Sequence, residues 1–248
     1  MYFLFSGEGI TDLGIGKSAA AVCTGDEFVV GPLTILADQI VESGQEFSIL
    51  EADCCGYVSE AQLRERAVEL KAAKKGIALP GKKRAKETRY FFNNARAFAR
   101  IAAAVETERK DSVVAILFRD SDGTASAGRG EWSDKRQSML DGFEHEGFLR
   151  GVPMMPKPKS EAWLICALKK KPYQGCAKLE ERSGNDNSPR SLKRELARLV
   201  GEPITPELLC DRVRRQVVDF DKIRMPSFMA FRQRLEESFD RVRPVGLR

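Results

Sequence analysis

Short apolar runs alternate with segments of helical periodicity along this chain. In the helical segments the apolar residues recur three or four positions apart, whereas the runs are brief and flanked by polar residues. Four runs are predicted to be strands: 1–6 (MYFLFS), 46–52 (EFSILEA), 113–119 (VVAILFR) and 151–156 (GVPMMP). The main helices are predicted at 31–43, 59–75, 83–108, 160–170 and 190–200. This alternation predicts an α/β fold, with a mainly parallel sheet of about four strands flanked by helices.

The spacing of these elements suggests two parts. The connection between the second and third predicted strands is long, so we expect a helical insertion at about 57–110. Beyond residue 170 only helices are predicted, and prolines separate them. We therefore predict an α/β domain at 1–170, which carries the insertion, and a helical C-terminal region at 171–248 that packs on it.

Composition narrows the class of protein. The 248 residues include no apolar run close to the roughly 18 residues of a membrane helix, and the first residues lack the basic and long apolar regions of a signal peptide. We expect a cytoplasmic protein with no membrane association. The six cysteines form no C-x-x-C pair, so neither structural zinc nor a disulfide framework is expected.

A single histidine limits the chemistry. His145 lies in the polar run DGFEHEGF, where a surface position is expected. Nucleophile systems and zinc sites that depend on histidine need that residue elsewhere or more than once. The sequence therefore predicts chemistry based on carboxylates, lysines, arginines and bound ions.

Positive charge is concentrated in two segments. Residues 71–89 hold eight lysines and arginines against one glutamate, and DRVRRQ holds three arginines, in a chain whose net charge is +5. Two interpretations are open: solvated helix faces, or surfaces that attract a polyanion such as nucleic acid. The candidate nucleic-acid contacts in these segments are Lys74, Lys75, Lys82, Lys83, Arg84, Arg214 and Arg215.

The glycine-rich stretch FSGEGITDLGIGKS follows the first strand and ends like a phosphate-binding loop. A P-loop requires G-x-x-x-x-G-K-[ST], yet Thr11 stands where the first glycine belongs. The stretch is therefore predicted to be a turn, in which Glu8 directly follows the strand.

Two aspartates follow the third predicted strand. If the strand persists through Asp122, its alternation points the carboxylates of Asp120 and Asp122 the same way. Close carboxylates repel each other unless a proton or a cation neutralises them, and Mg²⁺ prefers such oxygen ligands. The pair indicates a metal site, with an ordinary solvated turn as the alternative.

The segment LFRDSDGT resembles the motif hhhhDxDGT of haloacid-dehalogenase-type phosphatases. That resemblance implies that Asp120 is a nucleophile, which forms an aspartyl-phosphate, and that Asp122 is an acid/base. In that family the motif usually opens the domain, whereas 119 residues precede it here. This interpretation also leaves Glu8 without a role.

Three motifs, taken in order, resemble the Toprim domain of topoisomerases, primases and OLD-type nucleases. EGITD supplies Glu8 and Asp12, RDSDG supplies Asp120 and Asp122, and SEAWL supplies Glu161. The same order resembles that of small bacterial Toprim-like proteins encoded beside ATPases in phage-defence systems. The segment MPSFMAFRQRL is similar to the C-terminal end of such proteins.

The Toprim resemblance implies a nuclease that hydrolyses DNA or RNA with Mg²⁺ or Mn²⁺. The implied catalytic residues are Glu8, Asp120 and Asp122, and the implied metal ligands are these three with Asp12 and Glu161. Lys157 and Lys159, beside Glu161, are further candidate phosphate contacts. The resemblance also implies an ATPase partner and a role as effector in anti-phage defence. The alternatives are the phosphatase and a non-catalytic module that binds nucleic acid or an ATPase.

Overall fold

The apolar runs and helical segments of the sequence form a mixed α/β structure. A computed structural model describes residues 1–73, 86–121 and 131–242. The strands are β1 (Tyr2–Gly7), β2 (Gly14–Gly16), β3 (Cys23–Thr24), β4 (Phe28–Val30), β5 (Cys55–Val58), β6 (Val113–Phe118) and β7 (Gly151–Met154). The α-helices are α1 (Pro32–Gln45), α2 (Glu60–Ala73), α3 (Lys86–Arg109), α4 (Trp132–His145), α5 (Ser160–Leu168), α6 (Leu192–Val200), α7 (Pro206–Arg214) and α8 (Pro226–Asp240).

The main sheet brings the ends of its parallel strands to one edge. Its order is β3–β5–β1–β6–β7, in which the last four strands are parallel and β3 pairs antiparallel with β5. Gly7 at the end of β1 lies opposite Phe118 at the end of β6, and Ser6 lies opposite Val58 at the end of β5. The carboxyl ends of these three strands are therefore level. A mainly parallel sheet flanked by helices is confirmed.

The strand order reverses beside β1. From β1 the chain runs to β5 on one side, and it then crosses to β6 on the other side. Accordingly α1, α5, α7 and α8 contribute to the core on one face of the sheet, whereas α2, α3 and α4 contribute to the core on the other face. Open α/β sheets bind ligands outside the carboxyl ends of the strands at such a reversal. The fold therefore predicts a ligand site between the ends of β1 and β6.

The predicted strand at 46–52 is wrong. This segment forms turns, and the strand beside β1 is Cys55–Val58. The carboxylate of Asp38, in α1, accepts hydrogen bonds from the amides of Ile49 and Leu50 at 2.7 and 3.3 Å. These bonds hold the segment in a turn, and the buried Ile49 accounts for its apolar pattern.

The predicted insertion at 57–110 contains α2 and α3, and the start of α2 is the one expected. The amide of Gln62 donates to Ser59 Oγ at 3.3 Å, and the amide of Ser59 donates to Gln62 Oε1 at 3.2 Å. This reciprocal capping box satisfies two amides that the first helical turn leaves unpaired.

Helix α4 is not predicted by the sequence pattern. Its buried positions include Lys135 and Ser138 beside the apolar Met139 and Phe143. Polar residues at inward positions interrupt the apolar stripe by which amphipathic helices are detected.

The C-terminal helices pack on the same core as the sheet. Trp163, in α5, is fully buried, and its ring lies 5.0 Å from that of Phe228 and 5.9 Å from that of Phe231, both in α8. The indole N–H donates to Ser227 Oγ at 2.9 Å. Trp163 thus joins α5, which carries Glu161, to the last helix. The division of the chain at residue 170 stays a prediction.

Three expectations from composition meet different outcomes. His145 is exposed at the end of α4, as predicted. Within the described ranges, no helix has both the length and the apolar character needed to cross a bilayer. No disulfide framework is expected from the sequence, yet Cys166 and Cys176 form one disulfide, which joins α5 to the 3-10 helix Cys176–Glu181.

We expect Trp163→Ala to lower the free energy of unfolding by about 3–5 kcal/mol, because the change removes a large side chain from a packed core. Equilibrium urea unfolding measures the effect. Tyr173→Ala is the matched control, since that ring is 54% exposed, and it should change the free energy by less than about 0.5 kcal/mol. Equal effects of the two changes would contradict a stabilising contribution from the packing of Trp163, in α5, against α8.

Candidate active site

The end of β1 is joined to the end of β6 through Glu8. This residue directly follows β1, and its Oε1 accepts a hydrogen bond from the amide of Asp120 at 3.0 Å. Gly7 permits the approach, because a Cβ at that position would lie 2.5 Å from the carbonyl oxygen of Phe118. Two predicted site residues that are 112 positions apart are therefore in direct contact.

A tight turn directs Asp12 back to the same edge. The amide of Asp12 donates to the carbonyl oxygen of Gly9 at 2.9 Å. Gly9 has a φ of +89°, a conformation that glycine adopts without strain, and a Cβ there would lie 2.6 Å from Asp12 Oδ2. The segment EGITD thus needs its glycine for the position of its second acid.

The electrostatics of Asp12 place it among other acids. Burial raises the pKa of Asp12 to about 6. A hydrogen bond with the side chain of Ser160 opposes this shift, and the negative charges of Glu161 and Glu8 add to it. Like charges raise the pKa of a carboxyl group only when they are near. Three of the predicted acids therefore act on one another at this edge of the sheet.

The loop that begins at Asp120 is held from two sides. Ser121 donates from its amide and from its Oγ to the carbonyl oxygen of Pro158, each at 3.2 Å. Lys135 is buried, and its Nζ donates to the carbonyl oxygen of Ser121 at 2.7 Å. The segment after β7, which carries Lys157, is therefore fixed against the end of β6.

Two adjoining clefts lead away from this edge. The first has a volume of about 690 Å³ and is lined by Ser121, Trp132, Lys157 and Arg182 among others. The second, of about 670 Å³, shares Arg182 with the first and is also lined by Arg190 and Arg198. Arg182 is ion-paired with Glu195. Glu131 and Glu180 also line the first cleft and Glu195 the second, so cationic and acidic side chains both line the surface that extends from Ser121 along the C-terminal part of the chain.

Other predicted contacts lie elsewhere. Lys159 forms an ion pair with Asp186 at 3.2 Å. Arg214 ends α7, which packs on α1, and Arg215 pairs with Asp211 at 3.0 Å. Neither of these arginines lines the two clefts. Their contact with nucleic acid stays a prediction.

Several predicted site residues lie outside the described residues. The strand β6 ends at Phe118, so the strand alternation that would align Asp120 with Asp122 does not persist. The predicted site residues that lie outside the described residues are Lys74, Lys75, Lys82, Lys83, Arg84 and Asp122.

The donor chemistry of the edge suits a hard cation. Glu8, Asp12, Asp120 and Glu161 offer only oxygen ligands, and the negative charges of Glu161 and Glu8 add to the larger effect of burial on the pKa of Asp12. Among residues 1–73, 86–121 and 131–242, however, no group of three metal-binding side chains is gathered. Asp122 lies outside the described residues, so its part in a magnesium site stays a prediction.

Three residues that the sequence did not single out belong to the site. Lys135 supports the loop after β6. Arg119 directly follows β6 and is fully buried, with its Nη1 3.9 Å from Glu8 Oε2 and 3.8 Å from Glu60 Oε1. The available signal for Arg119 was a charged residue at the end of an apolar run. Glu60 offered no signal beyond its place after a cap residue.

No protein-family model, curated protein or solved structure matches this chain. The Toprim resemblance therefore rests on the three motifs alone. What the site does is inferred from its residues and their contacts.

We expect Asp12→Asn to stabilise the chain at neutral pH but not in acid, when both proteins are measured in EDTA. In the folded chain the pKa of Asp12 is about 6, and in the unfolded chain it is near 4. The folded state therefore holds this proton more tightly, and the stability that it provides is lost as the pH rises from about 4 to about 6.

Allowing for the partial exposure of Asp12, the difference in unfolding free energy should reach on the order of 2 kcal/mol above pH 7 and vanish below about pH 4. Urea unfolding across this range measures it. Asp26→Asn, at an exposed aspartate, controls for the loss of a charge. A difference that is independent of pH would show that burial does not raise the pKa of Asp12.

Proposed function

We propose that this protein is a nuclease that hydrolyses phosphodiester bonds of DNA or RNA with Mg²⁺ or Mn²⁺. The observation that carries the proposal is the hydrogen bond between Glu8 Oε1 and the Asp120 amide, at the point where the strand order reverses. Such a reversal is where open α/β sheets bind ligands. The contact supports a shared site for the two motifs EGITD and RDSDG.

The acids divide into two groups in this proposal. Glu8, Asp120 and Asp122 hold the metal ion, and Asp12 and Glu161 complete a second position or orient water. When bound, Mg²⁺ supplies charge stabilisation to the phosphoryl oxygens and lowers the pKa of a bound water. The oxygen-only donor set, and the electrostatic effect of Glu161 and Glu8 on Asp12, support this assignment.

The protein's own groups fix the geometry. Glu8 is oriented by the Asp120 amide, and the loop after β6 is held by Lys135 and by the bonds of Ser121 to Pro158. Fixed polar groups need no reorganisation as the reaction proceeds. A carboxyl group with a pKa of about 6, such as Asp12, exchanges its proton near neutral pH and suits the transfer of a proton from water.

The substrate would lie along the two adjoining clefts. In this proposal Lys157 and Arg190, which line the clefts, contact backbone phosphates, and Trp132 offers an aromatic ring at the end near Ser121. Contacts of this kind bind nucleic acid in a salt-sensitive manner with little dependence on sequence. On the resemblance alone, the proposal includes a Toprim-type fold, an ATPase partner and a role in anti-phage defence, and on composition it includes a cytoplasmic location.

We expect the purified protein to cleave plasmid DNA, single-stranded DNA or RNA with Mg²⁺ or Mn²⁺, and to lose this activity in EDTA. Glu8→Gln and Asp120→Asn should each lower the cleavage rate by at least about 100-fold, as does the loss of a group that stabilises charge in the transition state. Gel assays of the cleavage rate measure the effect. Glu51→Gln and Asp26→Asn, at exposed acids, are the matched controls and should retain full activity.

Two other outcomes would overturn the nuclease. A chromogenic phosphomonoester that is hydrolysed by the wild type and by Glu8→Gln, but not by Asp120→Asn, would indicate the haloacid-dehalogenase-type phosphatase. Binding of nucleic acid by all variants, with no cleavage under any condition, would indicate a non-catalytic module.

The clefts give a separate prediction for binding. Lys157→Ala and Arg190→Ala should each weaken binding of single-stranded and duplex oligonucleotides, and each should reduce the slope of log K against log salt by roughly 1. Fluorescence anisotropy at several salt concentrations measures the slope. Arg241→Ala is the control, because that side chain bonds to Leu149 before the start of β7, at the opposite edge of the sheet. Equal slopes for all three variants would place the nucleic acid elsewhere.

A further inference from the structure

Arg119 is a fully buried cation without a hydrogen bond from its side chain. Its relative exposure is 0%, and within the described part of the chain none of Nε, Nη1 and Nη2 has a hydrogen-bond partner. A guanidinium group carries five donors, and burying a charge without compensation is costly. Its surroundings must therefore supply negative charge close by.

Two carboxylates lie within ion-pair distance of this cation, and they belong to different segments of the chain. Nη1 lies 3.9 Å from Oε2 of Glu8, after β1, and 3.8 Å from Oε1 of Glu60, at the start of α2. The ring of Tyr90, in α3, lies 5.4 Å from the guanidinium carbon, and its hydroxyl donates to Glu60 Oε1 at 3.4 Å. Both distances from Nη1 are ion-pair distances, and neither is short enough for a hydrogen bond.

The backbone of Arg119 is joined to that of Met154, and its side chain is more deeply buried than either acid. The Arg119 amide donates to the carbonyl oxygen of Met154 at 3.1 Å, which extends the pairing of β6 with β7. The side chains of Glu8 and Glu60, in contrast, are 40% and 35% exposed. A displacement of about 1 Å would bring either carboxylate to the 2.7–2.9 Å of a charge-assisted hydrogen bond.

We propose that Arg119 is a positioning residue for Glu8, and that Glu60 is the alternative partner of the same guanidinium. When Arg119 bonds to Glu8, Oε2 is engaged by the guanidinium. When Arg119 bonds to Glu60, the guanidinium no longer engages Oε2 of Glu8, while Oε1 keeps the Asp120 amide. The ion-pair exchange stands on geometry alone, and its consequence for metal binding rests on the proposed function.

The exchange itself is tested without metal. In EDTA, Glu8→Gln or Glu60→Gln alone leaves one carboxylate beside Arg119, so each should lower the melting temperature by only a few degrees, about 2–4 °C. The double variant leaves the buried cation with neither carboxylate and should melt about 10 °C below the wild type, more than the two single effects combined. Additive effects of the two substitutions on the melting temperature would show that Glu8 and Glu60 do not share Arg119 as an ion-pair partner.

The consequence for the site is tested by metal affinity. In Glu60→Gln the guanidinium has only Glu8 as its partner, so the dissociation constant of Mn²⁺, followed by electron paramagnetic resonance, should rise about 5-fold to 10-fold. That change corresponds to roughly the net contribution of one ordinary hydrogen bond. Glu65→Gln, at an exposed position in α2, is the matched control, and Glu60→Asp should restore most of the affinity.

Arg119→Gln should not weaken the binding of Mn²⁺. Removing the positive charge should leave Mn²⁺ bound at least as tightly as in the wild type, whereas a merely structural role would weaken binding together with folding. Circular dichroism shows whether the variant is folded. Unchanged Mn²⁺ affinity in Glu60→Gln would overturn the release of Glu8. If the wild type neither binds Mn²⁺ nor cleaves nucleic acid, the proposed function and the release of Glu8 fail, and the melting temperatures alone then decide the exchange.

Discussion

The parallel pairing of β1 with β6 is the constraint on which the rest of the site depends. These strands are neighbours in the sheet although about a hundred residues separate them in the chain, and their ends are level because Gly7 lies opposite Phe118. Gly7 lets the backbones approach, and Glu8 then reaches the amide of Asp120. Every other feature of the edge is arranged around this contact. The turn at Gly9 returns Asp12, and the bonds of Ser121 fix the segment after β7.

The site also contains buried cations close to its acids. Acids follow the ends of β1 and β6, and two cations close to these ends, Lys135 and Arg119, are buried. Lys135 satisfies a backbone carbonyl and stabilises the position of a loop. Among the described residues the guanidinium of Arg119 makes no hydrogen bond, and the two acids within ion-pair distance of it there are both half-exposed. One cation is therefore used for rigidity, whereas the other is placed where a choice between partners is open.

Sequence reasoning located the parts of the site that depend on local pattern. The first and third apolar runs are β1 and β6, and the acids that follow them are the ones in contact. The strand at 46–52 failed because apolar side chains also fill buried turns, as Ile49 does. β5, with four buried residues CGYV, has no polar alternation by which to recognise it.

The remaining misses have a common physical cause. Lys135, Glu60 and Arg119 contribute through contacts with segments far away in sequence, and no short motif records such contacts. The pairing of Cys166 with Cys176 likewise depends on how the chain turns after α5. Residues of this kind are found only once the fold has brought their partners together.

The packing of Trp163 against α8 has a consequence for the position of Glu161. That acid stands in the first turn of α5, two positions before the tryptophan whose ring is wedged against Phe228 and Phe231. The last helix thereby forms the wall behind one acid of the site, although it contributes no acid itself. Because Glu161 and Trp163 belong to the same short helix, the packing of Trp163 against α8 also determines where Glu161 stands relative to the end of the sheet.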